Sequence, residues 1–145
     1  MRSRAWRISK PFPYFFFECT VFSTSIIIHH CMNWLDDNLA IGGFFDDNIA
    51  SLEKEEVDVV VDVRPLFING AVDAERLMAT VQELVKLADS QRILVRCTFG
   101  IDRGPFVGMV YLSMRYGLSC EEAYGIVKEK RPQTREHWEW VNSLF

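Results

Sequence analysis

The sequence predicts an α/β fold: a central, mostly parallel sheet flanked by helices, with an anion-binding loop between one strand and the helix after it. Three observations carry this. From Met32 onward, short apolar and β-branched runs alternate with segments of helical periodicity. "VDVVVDV" (Val57 to Val63) has the β-branched character of a buried strand. "ILVRCTFGIDRGPFVGMVYL" (Ile93 to Leu112) sets an apolar run, a cysteine, a glycine-containing turn, an arginine and a second apolar run end to end. Strands alternating with helical patterns in this way favour parallel pairing in the central sheet.

The elements come in order. "NLAIGG" (Asn38 to Gly43) reads as a short strand ending in glycines, and "DDNIASLEKEE" (Asp46 to Glu56) as a helix with an acidic first turn. The run from Val57 to Val63 stops at Arg64 and Pro65, and "LFI" adds a brief strand. From Asp73 to Ala88, the residues Leu77, Val81, Leu84, Val85 and Ala88 recur at helical spacing, with Asp73 placed to cap the first turn. "RILVR" (Arg92 to Arg96) is the next strand. Pro105 to Arg115 is a second core helix, with proline in its favoured first turn. Ser119 to Glu122 spells S-x-x-E, a capping box that opens a helix to about Lys130. After "RP" at Arg131 and Pro132, a short last helix carries Trp138 and Val141 on one face.

Composition narrows the function classes. A chain of 145 residues with 49% hydrophobic content fits one domain that buries about two thirds of its unfolded surface, so neither disulfides nor a metal is needed to fold it. The net charge is −4 and no Lys/Arg cluster forms a patch, which argues against a broad nucleic-acid surface. Cys19, Cys31, Cys97 and Cys120 include no C-x2-C pair, and His29, His30 and His137 do not complete ligand spacing. No metal site and no cofactor are expected. Nothing marks the domain from Met32 onward as secreted, so reduced thiols in the cytoplasm are the better reading, and Cys97 is then available to react.

Residues 1–31 differ from the rest. They begin basic (Arg2, Arg4, Arg7, Lys10) and continue aromatic and β-branched, interrupted by Pro11, Pro13 and Glu18. A signal peptide has a cleaner apolar core and a small-residue cleavage site. A membrane span needs about 20 predominantly apolar residues, and Phe12 to Ile28 falls short with Glu18 inside it. No stable membrane insertion is expected. Three readings stay open: a weak membrane or export segment, an extra strand or tail, and an extension upstream of a start at Met32. The chain therefore divides into an N-terminal extension (1–31) and one α/β domain (32–145).

The chemistry concentrates in one loop. Ligands of open α/β sheets bind beyond the carboxyl ends of strands, where the next helices present their N-termini, and Cys97 stands at such a place. Thr98, Phe99, Gly100, Ile101 and Asp102 must wrap from strand end to helix start, and Gly100 lets the chain turn without a side-chain clash. Successive backbone N–H groups then point inward and form a nest for a tetrahedral oxyanion, reinforced by the helix dipole. The same field favours a thiolate. Arg103, at the helix start, can grip two phosphoryl oxygens in a planar fork. Together these groups make a phosphate-binding loop suited to covalent phosphoryl transfer. The competing reading is a small buried hydrophobe at Cys97 and a chance C-x5-R spacing. The flanking "ILV", the central glycine and "PFVGMVYL" favour the chemical one.

"LVRCTFGIDRGPF" resembles the signature of the cysteine-dependent protein tyrosine phosphatases, most closely the compact dual-specificity branch. The resemblance runs from Asn33 to Val141: "NLAIGG" resembles the opening strand, "VDVVVDVRP" the central one, and "KEKRPQTREHWEWV" the closing segment and terminal helix. It implies Cys97 as nucleophile, Arg103 as phosphate clamp, Thr98 to Asp102 as the amide cradle, and a phosphorylated protein or small phosphate monoester as substrate. The T-x-G-x-D-R pattern also resembles the RNA 5′-phosphatase relatives, with C-T-H-G-x-N-R, which leaves an RNA 5′-phosphate open as a substrate.

Three departures from the family pattern stand out. Arg96 occupies the place of the usual histidine before the cysteine. Gly104 occupies that of the Ser or Thr that helps the thiolate leave, which predicts slow breakdown of the phosphoenzyme. The general-acid position falls nearest Asn69, which cannot donate as an acid; Asp73, four residues on, is the nearest carboxyl group and the candidate donor, a role it would share with helix capping. The functions that compete are a phosphatase acting on phosphotyrosine and phosphoserine/threonine, a non-catalytic phosphate-binding pseudophosphatase, and a rhodanese-like cysteine enzyme, whose loop is usually one residue shorter.

Overall fold

A computed structural model describes residues 31–144 of the chain, so the readings of the segment before Cys31 lie outside the described residues. The elements run β1 (Asn33–Trp34), β2 (Leu39–Gly42), α1 (Ile49–Lys54), β3 (Val59–Asp62), β4 (Phe67–Ile68), β5 (Ala71–Val72), α2 (Ala74–Leu87), β6 (Ile93–Arg96), α3 (Arg103–Tyr116), α4 (Cys120–Lys130) and α5 (Trp138–Leu144). Four strands form one sheet in the order β1-β2-β6-β3. β6 pairs in parallel with β2 on one side and β3 on the other, and β1 adds an antiparallel edge. This is the mostly parallel, helix-flanked α/β sheet that the alternating pattern predicts.

Strand register fixes where the loop after β6 begins. Gly42 and Asp62 both stand opposite Arg96, so three parallel strands end level, and the residue after β6 emerges at the middle of that edge. Side chains alternate across the pleat. Ile93 and Val95 join the main core with α2, α3 and α4, whereas Leu94 packs on the other face with Ala40, Leu52 and Met32. Helix α3 is buried continuously from Gly104 to Leu112, as a helix against a sheet with helices on both sides must be. Leu77, Val81 and Leu84 of α2 are at most 1% exposed, each burial stabilising by ~1.5–3 kcal/mol. Among the described residues no helix is long and apolar enough to cross a membrane.

The capping signals act as read: Asp73 accepts from the Arg76 amide, and Ser119 and Glu122 form a reciprocal box. Other expectations need correction. The segment Asp46 to Glu56 is not one helix with an acidic first turn. Phe44–Asp46 is a single 3₁₀ turn, and α1 starts only at Ile49, capped by Asn48 through the Ser51 amide. The Asp46 carboxylate reaches back to the Gly43 amide at 2.8 Å and closes that turn. Val59–Asp62 is a half-buried edge strand, while the fully buried strands are β2 and β6; β-branched composition reports fit to a pleated surface, not position in the sheet. In α5 the buried residue is Trp140, 8% exposed against 38% for Trp138, because Phe67 and Phe106 pack on Trp140 from outside the helix, at ring separations of 4.9 and 5.4 Å.

Candidate active site

Cys97 comes directly after β6 at the centre of the C-terminal strand edge and is 2% exposed. The amides of Gly100 and Gly104 donate to its Sγ at 3.2 and 3.3 Å. Both bonds strengthen as sulfur gains charge, which is how a loop favours thiolate over thiol. The carbonyls explain why the amides point there. Thr98 O accepts from the Phe44 amide at 2.8 Å and Ile101 O from the Arg135 amide at 2.9 Å. Phe99 O and Gly100 O accept from the Arg131 side chain at 3.2 and 2.5 Å. Four consecutive carbonyls are thus held from the outside, and in a trans peptide the next N–H points the opposite way. The amides of residues 99 to 102 therefore face into the cradle, an arrangement that binds oxyanions.

Arg131 is the residue that sequence reasoning missed. It lies 31 residues beyond Gly100, is 0% exposed, and also donates to the Cys31 carbonyl, the Asn33 side chain and the Ile41 carbonyl at 2.8, 2.7 and 3.3 Å. Its only sequence signal was the "RP" pair. Gly100, at φ +66°, fits between Arg131 and β2: a Cβ there would lie 2.5 Å from Arg131 Nη2 and 2.9 Å from the Gly42 carbonyl. An L-residue in that region costs about 1–2 kcal/mol before any clash. Gly100→Ala is therefore expected to lower Tm by about 5 °C and to weaken phosphate binding, measured by thermal melting and by protection of Cys97 from alkylation. An unchanged Tm with unchanged protection would show that the loop does not depend on this packing.

Arg103 starts α3, and its Nη2 donates to Thr98 Oγ1 at 3.0 Å. Among the described residues it makes no ion pair, in contrast to its neighbours. Arg64 forks onto Asp62, with Nη2 at 2.7 Å from Oδ2, and Arg135 forks onto Asp102 at 2.8 and 2.7 Å. Arg96 lies 3.6 Å from both Asp47 and Asp62. Among the described residues, no carboxylate pairs with the guanidinium at the mouth of the cradle. Of the other predicted loop residues, Phe99 is 66% exposed and stands at the rim, and Ile101 and Asp102 are half-buried.

A family model for the dual specificity phosphatase catalytic domain matches residues 71–145, which include Cys97, the cradle and Arg103. The chain belongs to the dual specificity phosphatase family. Dual specificity protein phosphatase 16 of Homo sapiens is 36% identical over 53 residues, covering 37% of this chain and 8% of that protein. Dual specificity protein phosphatase 8 of Homo sapiens is 25% identical over 76 residues, covering 49% of this chain and 12% of that protein. The match thus spans about a tenth of the length of these relatives. Among solved structures, a leucine rich repeat and phosphatase domain containing protein from Entamoeba histolytica aligns over 80% of this chain and 89% of its own, with a TM-score of 0.67 at 12% identity. Human DUSP28 aligns over 78% and 91%, with a TM-score of 0.64 at 19% identity. These two show the shared fold.

Within the dual specificity phosphatase family, the chain departs from the expected pattern at places the geometry explains. Arg96 does not stand in for a histidine beside the thiol. It is a buried strut on the opposite pleat from Cys97, tying the loop after β2 (Asp47) and the end of β3 (Asp62) to β6. The charges of Arg64 and Arg131 each couple to Cys97. Gly104 sits so close that a Cβ there would lie 3.4 Å from Sγ, and glycine leaves that contact without a hydroxyl. Burial pushes Asp46 up to about 7, against the Gly43 N–H and the charge of Arg131. Asp46 lines a pocket of about 90 Å³ beside Thr98 and Phe99; its place in an acidic run gave no hint of this.

The segment expected to carry the general acid is a hairpin. Phe67 pairs with Val72 and Ile68 with Ala71, and Asn69 and Gly70 between them have φ +51° and +78°. Two consecutive positive φ values define the type I′ turn, for which Asn-Gly is the preferred pair. Asn69 is therefore explained by the turn. Asp73 comes directly after β5, its own amide bonded to Leu66 O at 2.8 Å and its carboxylate to the Arg76 amide at 3.2 Å.

Proposed function

We propose that this domain hydrolyses phosphate monoesters of tyrosine, and of serine or threonine, in proteins, through a cysteinyl-phosphate intermediate. The observation that carries the reading is the cradle: four carbonyls held outward, two amides on Sγ, and Arg103 without a carboxylate. The Cys97 thiolate attacks phosphorus, the bond from phosphorus to the leaving oxygen breaks, and that oxygen takes a proton. Water then attacks the cysteinyl phosphate, the P–S bond breaks, and inorganic phosphate leaves. Inward amides and Arg103 stabilise the charge that grows on the phosphoryl oxygens in both steps. The cradle offers no lysines for highly charged inositol phosphates, which favours monoesters of low charge. Release of phosphate from an aryl phosphate and from phosphopeptides, by wild type and by Cys97→Ser, tests the proposal. A cytoplasmic setting is supported by the free thiols of Cys97 and Cys120.

Asp73 is our candidate proton donor. A general acid contributes ~10²–10⁴ in rate, and an activated phenolate can depart without one. Asp73→Asn should therefore slow an alkyl phosphate by about 10²-fold or more and leave an activated aryl phosphate nearly unchanged. If both rates stay within a factor of about 3 and stability changes by no more than ~1 kcal/mol, since Asn also caps well, Asp73 serves α2 alone. The Asn69–Gly70 turn and Gly104 favour a second reading, a phosphate-binding module without turnover. Tight binding of a phosphopeptide with no phosphate release would establish it.

A further inference from the structure

A loop that must receive a phosphate dianion contains a carboxylate, Asp102, next in the chain to Arg103. A negative charge within the loop would oppose binding of the dianion. Two cations sit on it. Arg135 donates from Nε and Nη2 to its two oxygens at 2.8 and 2.7 Å, and His137 Nε2 lies 2.7 Å from Oδ1. On its other side, His137 Nδ1 lies 2.6 Å from Glu139 Oε1. Both ring nitrogens face carboxylates, a geometry that only the imidazolium satisfies with two N–H donors. Partial burial opposes the charged form, but Asp102 and Glu139 outweigh it and hold the histidine's pKa above its ordinary value. The ring is fixed by stacking on Trp140, 3.9 Å between centroids at 14°, and its backbone N–H donates to the Tyr124 hydroxyl at 3.1 Å.

We propose that Arg135 and His137 are positioning residues that neutralise Asp102, so that its negative charge does not offset the field of Arg103 and the inward amides that a phosphate dianion meets in the cradle. The segment after "RP" thereby sets affinity for the dianion without touching it. The cations arrive from beyond α4, more than 30 residues later in the chain, and the Arg135 amide holds the Ile101 carbonyl of the same loop. Charge and backbone are therefore fixed by one segment. The inference rests on the proposed phosphate-binding role of the cradle.

The test separates charge compensation from simple bracing of the loop. Arg135→Gln, on a side chain 70% exposed, and His137→Gln are each expected to weaken protection of Cys97 from iodoacetate by inorganic phosphate, by about tenfold. In turnover of an aryl phosphate, the loss should fall on KM more than on kcat. The same two changes made in an Asp102→Asn background should cost less than about twofold, because the charge they balanced is gone. If the losses persist undiminished in that background, in variants whose Tm stays near wild type, the residues only brace the loop and the inference fails. Wild-type protein that phosphate does not protect at all would overturn the phosphatase reading as well, whereas protection without rescue overturns this inference alone.

Discussion

Cys97→Ser is expected to abolish phosphate release, by on the order of 10⁴-fold or more, while phosphate binding should stay within a few-fold of wild type. The two halves of this result have different physical sources. Turnover needs a nucleophile that ionises easily, and a serine hydroxyl gives up its proton far less readily than a thiol. Binding depends on groups the substitution leaves in place: the inward amides, held by the Thr98, Phe99, Gly100 and Ile101 carbonyls, and Arg103. The smaller serine oxygen can still accept from the Gly100 and Gly104 amides that now reach sulfur at 3.2 and 3.3 Å. Phosphate release from an aryl phosphate, beside binding of the same ester by the variant, measures both. Hydrolysis within tenfold of wild type would remove cysteinyl phosphate from the mechanism.

Arg103→Lys is expected to lower kcat/KM by ~10²–10³, the range for removing one well-placed donor of transition-state charge. Charge alone does not account for so large an effect, since lysine keeps it. What is lost is the planar fork, which meets two phosphoryl oxygens at once and keeps its orientation through the bond to Thr98 Oγ1 at 3.0 Å. An ammonium offers one direction at a time and a larger hydration shell to strip. Steady-state kinetics on an aryl phosphate decide the matter. A loss below about threefold would mean that Arg103 acts only as a diffuse positive charge, and that the amides carry the grip by themselves.

These two residues were legible in the sequence because their chemistry is local. Cys97, the turn at Gly100 and Arg103 lie on one short stretch between a strand signal and a helix signal, and the geometry of a strand, a tight turn and a helix start is set by a few neighbouring residues. The helix caps at Asp73 and Ser119 were legible for the same reason: a side-chain oxygen meets an amide three residues away. The Asn69–Gly70 hairpin carries an equally local signal, the Asn-Gly pair, whose turn chemistry accounts for both residues.

What the sequence by itself determined is thus the alternating α/β order, the caps, and the thiol and guanidinium at the two ends of one loop, all set by interactions that span only a few residues. Tertiary structure alone decided that β6, not β3, lies at the centre of the sheet, because strand order depends on how the chain returns and not on any strand's composition. It also decided where each arginine goes. Arg96 is drawn between Asp47 and Asp62, Arg131 onto the outer carbonyls of the cradle, and Arg135 and His137 onto Asp102. In the sequence these side chains carry interchangeable charge. The distances that assign them partners arise only when segments 30 or more residues apart are brought within about 4 Å, where Coulomb attraction and hydrogen-bond geometry first distinguish one arginine from another.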